Sequence, residues 1–397
     1  MDVLNLYNNS FYLAFQSSYF EVEQNNEYLK RVVVSVINDL SFDQRVDKVC
    51  TTLINNGFDV LLIGRKLKES MPISRDYQTT RMKLLFTKGA FFYAFFNLRL
   101  FFKLLFVKVD VFHANDLDTL LANRWASKLR GKPLIYDSHE YFTGVPEIQD
   151  RPKVKKAWEK IEKSIFPKLK YIFTVNQSIA DLYRNQYNKE VHVLRNVPKS
   201  DDLKKTKSRS DLGIPLDKKI VLVQGTGINI DRGIEQLLEA IAIMDTAILY
   251  IVGSGDVLHQ LKERSKAQDL NNKVVFVGKL PYNEMMQYTF NADVGVTLDK
   301  DTNINYRFSL PNKIFDYIKA GLPILSSNLV ELKKIINQYE IGAITISHSP
   351  EEIKSSLMRI WEDENIFLQY KENAKKAAEE LTWEKEVQPL LEVYKKL

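Results

Sequence analysis

The feature that most constrains this chain is a repeated two-part grammar. Short apolar runs rich in β-branched residues alternate with stretches of helical spacing, first across residues 31–197 and again from 219. RVVVSVI at 31–37 has the near-continuous hydrophobicity of a strand buried on both faces. RVDKVCTTLINNG follows with helical period and a glycine, Gly57, where a helix would stop. FDVLLIG then gives a second strand, completing a β-α-β unit in about 35 residues. VDVFHAND, PLIYDSHE, YIFTVN and VHVLRNV continue as strands, separated by the helical stretches LDTLLANRWASKLRG, VKKAWEKIEKSIFPKL and SIADLYRNQYN. The second series has the strands IVLVQG, AILYIVG, VVFVG, VGVTL, PILSS and AITI, with helices such as GIEQLLEAIAIM, VLHQLKERSKAQ and NEMMQYTF between them. Such alternation predicts parallel sheets covered by helices on both faces, hence an α/β fold with two Rossmann-like domains facing across a cleft.

The boundaries follow from composition. Residues 1–30 are aromatic and polar without clear period and read as an extension of unknown role. Residues 31–197 form the N-terminal domain. The Lys- and Ser-rich stretch 198–218 reads as a linker, and 219–375 forms the second domain. Residues 376–397 are expected to be a helix that packs on a domain surface or crosses back to the first domain, with Pro389 as a kink.

Bulk chemistry excludes several classes. A length of 397 residues suits two domains, and 45% apolar with 27% charged residues is ordinary for a soluble globular chain. One cysteine, Cys50, precludes an intramolecular disulfide and reads as a buried thiol on a helix face. Five histidines and that cysteine show no metal-ligand spacing, and no metal site is expected. The N-terminus lacks a basic region and a small-residue cleavage site, so a cytoplasmic location is expected. The net charge of +6 is compatible with phosphate-bearing ligands or an anionic membrane surface, and nucleic acid is not expected as a partner.

Residues 77–109 contain no Asp or Glu, but hold Arg81, Lys83, Lys88, Arg99, Lys103 and Lys108 among nine Phe and Tyr residues from Phe86 onward. A basic aromatic helix is expected over 81–108. Its core, GAFFYAFFNLRLFFKLLF, approaches the length of a membrane span, but Arg99 and Lys103 fall inside it. A charge in mid-span costs about 2.5–3.5 kcal/mol on insertion scales. A helix lying in the membrane interface fits better. Burial between domains with the bases snorkelling outward is the other reading.

Four polar clusters fall at expected strand ends: Asn38–Arg45 with Asn38, Asp43 and Arg45; His113–Asp118 with His113 and Asp116; Asp137–Glu140; and Gly225–Arg232. Gly225, Thr226 and Gly227 follow a strand and precede a helix. Such a turn either lets a diphosphate approach the backbone or is simply tight. Arg232 adds a fixed positive charge there. In NINYRFSLPNKIFDYIKAGLPILSS, Pro311 suits a helix start. Asn312 and Lys313 then lie in the first turn, where free amides attract phosphate. Asp316 sits one turn on, where a carboxylate can accept both hydroxyls of a ribose; a capped helix with surface Lys and Asp is the alternative. His139 stands beside Asp137 and Glu140, either to bond a sugar or donor phosphate or as a capping histidine. Ser138 lacks a nucleophile-elbow sequence, which excludes a serine triad.

Five segments in order, GTGINIDRGIEQLLEAI, LYIVGSGD, VVFVGKLPYNEM, NADVGVTL and SLPNKIFDYIKAGLPILSS, resemble glycosyltransferase family 4. INDLSFDQRVDKVCTTL, FHANDLDTLLA and YDSHEYF in the first half resemble its bacterial members, so the likeness spans roughly 31–397. It implies the GT-B architecture and a retaining transfer from a nucleotide-sugar donor, with no cofactor and no metal required. The basic aromatic helix adds a lipid-linked acceptor, so transfer to a glycan or lipid-linked acceptor in cell-surface polysaccharide or glycolipid synthesis at the inner face of the membrane is expected. Carried over by this likeness, Arg232 matches a base on the donor diphosphate, Asp316 the second acid of the Glu-x7-Glu motif, and His139 a histidine near the transferred sugar. The chain departs from the pattern at three places. The first acid of that motif falls at Phe308, an arginine of the clamp falls at Gly227 with Lys313 as the replacement charge, and Asn38-Asp39-Leu40 stands where a Gly-Gly loop is frequent. A nucleotide-sugar epimerase of similar fold and a non-catalytic membrane-surface or partner-binding module are the competing readings.

Overall fold

A computed structural model describes residues 29–41, 43–200 and 203–397. The extension expected over 1–30 lies outside the described residues except for its last two. The chain forms two compact units, one of residues up to His113 with Trp125–Pro133, the other of Ala114–Arg124 with Leu134–Leu397.

The first half of the chain supplies β1 (Arg31–Asp39), α1 (Gln44–Asn55), β2 (Asp59–Lys66), β3 (Gln78–Lys83), α2 (Gly89–Phe106), β4 (Val111–Asn115), α3 (Leu117–Arg130), β5 (Leu134–Ser138), α4 (Pro146–Gln149), α5 (Pro152–Ile165), β6 (Tyr171–Thr174), α6 (Gln177–Tyr187) and β7 (His192–Val193). Its seven strands form one sheet in the order β3-β2-β1-β4-β5-β6-β7. The pairings of β1 with β2, β2 with β3, β5 with β6 and β6 with β7 are parallel.

The second half supplies β8 (Lys219–Gly225), α7 (Ile234–Ala242), β9 (Ala247–Gly253), α8 (Leu258–Arg264), β10 (Val274–Gly278), α9 (Tyr282–Asn291), β11 (Val294–Thr297), α10 (Ile304–Arg307), α11 (Lys313–Lys319), β12 (Ile324–Ser327), α12 (Val330–Tyr339), β13 (Gly342–Thr345), α13 (Pro350–Trp361), α14 (Glu364–Glu380), α15 (Trp383–Glu386) and α16 (Gln388–Lys395). A six-stranded parallel sheet runs β10-β9-β8-β11-β12-β13. The two sheets are those of two Rossmann-like domains, as the alternating pattern predicts.

Local physics explains the elements. The Asp43 carboxylate accepts from the Val46 amide at 3.1 Å and caps α1. At its other end Gly57, with φ of +80°, lets the Gly57 and Phe58 amides close on Ile54 and Leu53. Val46, Val49, Cys50 and Leu53 recur at helical spacing and are buried. In the second half, side chains from β8, β9, β11, α7 and α13 share one core, with Val221, Leu249, Val296, Leu237 and Leu357 completely enclosed.

Two expectations need correction. The basic aromatic helix begins at Gly89 rather than 81, because Gln78–Lys83 pairs with β2 as an edge strand. An edge strand with one wet face can be polar, so QTTRMK lacks the apolar signature of its neighbours. The C-terminal region is three helices rather than one kinked helix. Pro389 lies in the first turn of α16, where its missing N–H costs nothing, so it starts a helix instead of bending one. The Glu386 carboxylate receives the Arg195 guanidinium in a bidentate pair, at 2.8–3.1 Å, and the Trp383 amide bonds Pro198.

Helix α2 is half-buried. Phe92, Phe96, Leu100 and Leu104 form its inward stripe, while Phe91, Leu98, Phe102 and Phe106 stay exposed. Its 18 residues are long and apolar enough to cross a membrane by length and composition.

Cys50 is completely enclosed, and burial pushes its thiol pKa up, with Asp47 and Asp43 adding to the rise. In the native protein it should react with an aromatic disulfide reagent at least ~100-fold more slowly than in denaturant, where the thiol is free to ionise. Equal rates, followed by absorbance of the released thiolate, would show that this face of α1 opens readily.

Candidate functional site

The turn after β8 is built by glycine. Gly225 has φ of +122°, and open space surrounds the position a Cβ would take on both Gly225 and Gly227. The Gly225 carbonyl accepts from the Ser254 amide at 3.0 Å, and the Ser254 carbonyl accepts from Ile228 at 3.2 Å. Gly253 makes that seam possible, because a Cβ on it would collide with the Gly225 carbonyl. Thr226 sits in the open turn, exposed to solvent. The chain then passes through Asp231, which is left-handed at φ of +65°, to Arg232 and the start of α7.

Arg232 is held on two sides. Its Nη1 lies 2.5 Å from Asp299 Oδ2, and Asp299 is fully enclosed just beyond the end of β11. Ser309 Oγ donates to the same oxygen at 3.0 Å. The guanidinium also lies over the ring of Tyr306, 4.3 Å from its centroid. Tyr306 sits on α10, whose first turn is capped by the Asn303 side chain. Burial lowers the pKa of Lys313; Asp299 opposes that shift and Arg232 adds to it. Arg232, Lys313 and the enclosed Asp299 therefore lie close enough to interact electrostatically, and Glu140 is within range of Arg232 as well.

Asn312 occupies the N-cap of α11 and makes no side-chain cap bond, and Lys313 is the first helical residue. Asp316, one turn on, is buried. Its Oδ1 accepts from Tyr282 Oη at 2.7 Å and its Oδ2 from Gln224 Nε2 at 3.0 Å, while Thr289 Oγ1 donates to Gln224 at 2.6 Å. The carboxylate proposed for a ribose is thus already part of a polar chain that ties α11 to β8 and α9.

His139 is fixed by several partners. Its amide donates to Asp116 Oδ1 at 2.7 Å, its Nδ1 lies 3.3 Å from Asp116 Oδ2, and its Nε2 lies 3.1 Å from Asn115 Oδ1 and 3.5 Å from the enclosed Asp137. Asp116 reaches this position from a left-handed backbone, φ of +58°. Next to it, burial, Asp116 and Glu147 push the Glu140 carboxyl up to about 8, against the opposing pull of His139 and Arg232. Part of Glu140 stays open to solvent, which screens the effect. Its carbonyl is gripped by the Ser138 hydroxyl at 2.6 Å, which gives Ser138 a structural task. The loop is clipped to α10 by Asn305, which accepts from the Tyr141 amide at 3.0 Å and donates to the Tyr141 carbonyl at 3.1 Å.

The remaining residues named from the sequence belong to the first compact unit. Asn38 donates to Asp43 at 3.1 Å at the end of β1, Asp43 caps α1, and Arg45 is buried at the base of that helix. His113 is completely enclosed within β4. Sequence reasoning missed Asp299, Tyr306 and Asn305. Asp299 follows VGVTL, so the strand-end rule that singled out the other clusters also applies to it. Among the described residues, no group of three or more His, Cys, Asp or Glu is placed to hold a metal ion.

The comparisons with known proteins decide the family. The model of the group 1 glycosyl transferases matches residues 204–377, and that of Glycosyltransferase Family 4 matches 44–197. The chain belongs to the glycosyltransferases of family 4 type. An uncharacterised glycosyltransferase of Methanocaldococcus jannaschii is 22% identical over 313 residues, 75% of this chain and 78% of that protein. Among solved structures, this glycosyltransferase is similar to the sucrose-phosphate synthase of Thermosynechococcus elongatus, with a TM-score of 0.77, 17% identity, and 92% and 98% of the two chains covered. It is also similar to Anabaena HepE in complex with UDP-glucose, with a TM-score of 0.70, 13% identity, and 92% and 100% covered. These likenesses share the GT-B fold with the present transferase.

The Glu140 carboxyl generates a pH dependence. The unfolded group ionises near 4.5 and the folded one near 8. Between these values the unfolded transferase releases a proton that the folded one keeps, so stability falls as pH rises through that window and is level above it. Glu140→Gln removes the effect. The Tm of the variant relative to the parent should rise by roughly 2–5 °C between pH 5 and pH 9. A Tm difference independent of pH would show that Glu140 ionises normally.

Proposed function

We propose that this glycosyltransferase moves a sugar, with retention of anomeric configuration, from a nucleotide-sugar donor to a glycan or lipid-linked acceptor in cell-surface polysaccharide or glycolipid synthesis. It works in the cytoplasm as a peripheral protein on the inner face of the membrane. The single observation that carries the reading is the recess shared by Arg232, Lys313 and Asp299. Two cations near one another raise each other's cost of burial, and the enclosed Asp299 is bonded to only one of them. A diphosphate supplies the missing negative charge, and the open glycine turn at Gly225 and Gly227 gives its oxygens access to backbone amides.

In this reading Arg232 and Lys313 stabilise charge that develops on the departing nucleoside diphosphate, which is electrostatic catalysis by groups already in place. The acceptor hydroxyl attacks from the face the leaving group vacates and passes its proton to the donor phosphate. No protein nucleophile is required. His139, held by Asp116, Asn115 and Asp137, binds hydroxyls of the transferred sugar. The Anabaena structure that contains UDP-glucose supports a nucleotide-sugar donor. The acid-free stretch 77–109 supports a lipid-linked acceptor.

A thermal-shift panel of UDP, GDP, ADP and their sugars identifies the donor. With the best ligand, Arg232→Ala and Lys313→Ala should each weaken binding by roughly 10–100-fold, since each removes a charge-assisted contact worth about 1.5–3 kcal/mol. Unchanged affinity in both variants would overturn the cradle. Nucleotide released from the sugar donor only when acceptor is present marks transfer, whereas acceptor-independent conversion of the sugar marks epimerisation.

A further inference from the structure

Helix α2 is not the only element that turns apolar side chains outward. On α3, Trp125 and Leu129 are 60% and 66% exposed and sit four residues apart, on one face. On α2, Phe91 and Phe106 are 75% and 84% exposed, with Leu98 and Phe102 between them. Helix topology makes these faces neighbours. The connections β3-α2-β4 and β4-α3-β5 both progress in the same direction along the sheet, so as right-handed crossovers they place α2 and α3 on the same side of it. The Arg130 guanidinium at the end of α3 confirms the adjacency, because it donates to the carbonyls of Leu104 and Val107 at the end of α2.

Charge follows the same surface. Residues 77–109 and 119–136 contain no Asp or Glu. Lys88, Arg99 and Lys103 accompany the α2 face, and Lys128 lies beside Leu129 on α3. Side chains of this kind suit a bilayer interface: Phe and Leu enter the acyl boundary, Trp prefers the headgroup level, and the bases meet anionic lipid. A second copy of the chain fits less well, since it would bring two sets of like charges together. Spanning is opposed by the inward stripe of α2, which is already spent on the fold: Phe96, Leu100 and Leu104 are completely enclosed, and the Arg65 guanidinium lies over the Phe92 ring.

We propose that the outward faces of α2 and α3 together form one two-helix platform that seats the protein on an anionic phospholipid bilayer, with Phe102, Phe106, Trp125 and Leu129 entering the interface. The inference rests on the reading of a membrane-peripheral transferase, and extends it to a second helix outside the basic aromatic stretch 81–108. Phe96 is excluded from the platform.

Co-sedimentation of the full chain with vesicles tests it. The protein should pellet with phosphatidylcholine vesicles that contain about 30% phosphatidylglycerol, pellet far less with phosphatidylcholine alone, and be released by high salt. Trp125→Ser with Leu129→Ser should lower the partition coefficient at least ~10-fold, although α2 is untouched. Lys103→Glu with Lys128→Glu, which alters only partly exposed bases, should do the same and guards against misfolding of the first variant. No pelleting of the parent protein, or pelleting unaffected by both variants, would overturn the platform. So would a concentration-dependent dimer that the variants abolish, because it assigns the face to a second copy. Resistance of bound protein to alkaline carbonate would assign α2 to a span and overturn it as well. A nucleotide-induced thermal shift, measured on each variant, keeps the two readings separate. If the shift persists while pelleting is lost, the platform stands independently of the cradle; if pelleting persists where no nucleotide binds, the cradle fails and the platform stands.

Discussion

Parallel strand pairing is the constraint on which everything else here depends. A parallel neighbour can be reached only by a crossover, so most strands are followed by a helix and paired strands point the same way. The carboxyl ends of β8 and β11 therefore gather at one edge of their sheet, and the polar residues that follow them meet without being close in sequence. Arg232 and Asp299 are 67 residues apart and form an ion pair of 2.5 Å. The sheet positions them, and the ionic contact fixes the guanidinium once they arrive.

The energetics of that recess differ from those of a surface salt bridge. Asp299 is enclosed, so its charge would be costly without Arg232 and Ser309. Arg232 is then immobilised by the carboxylate on one side and by the Tyr306 ring on the other. The Lys313 pKa is lowered by burial and by Arg232, with Asp299 opposing the shift.

Much of this was legible in the sequence, for identifiable reasons. Buried parallel strands such as RVVVSVI and IVLVQG carry their own signature, and Gly57 and Gly131 mark helix ends because both need the left-handed backbone. The position of Asn312 and Lys313 at the start of α11 followed from Pro311 and the spacing to Gly321. Other features depended on tertiary context. The polar strand Gln78–Lys83 exists because β2 offers it an edge. The exposure of Trp125 depends on which face of α3 the sheet covers. Tyr306 and Asn305 are ordinary residues in a short helix until folding sets one against Arg232 and the other against Tyr141.

Those last two residues are consecutive, and their arrangement has a mechanical consequence. Asn305 bonds both the amide and the carbonyl of Tyr141 in the His139 loop, and the ring of the next residue, Tyr306, lies 4.3 Å from the Arg232 guanidinium. A single helical turn thus ties the Arg232 guanidinium to the loop that carries His139 and Glu140.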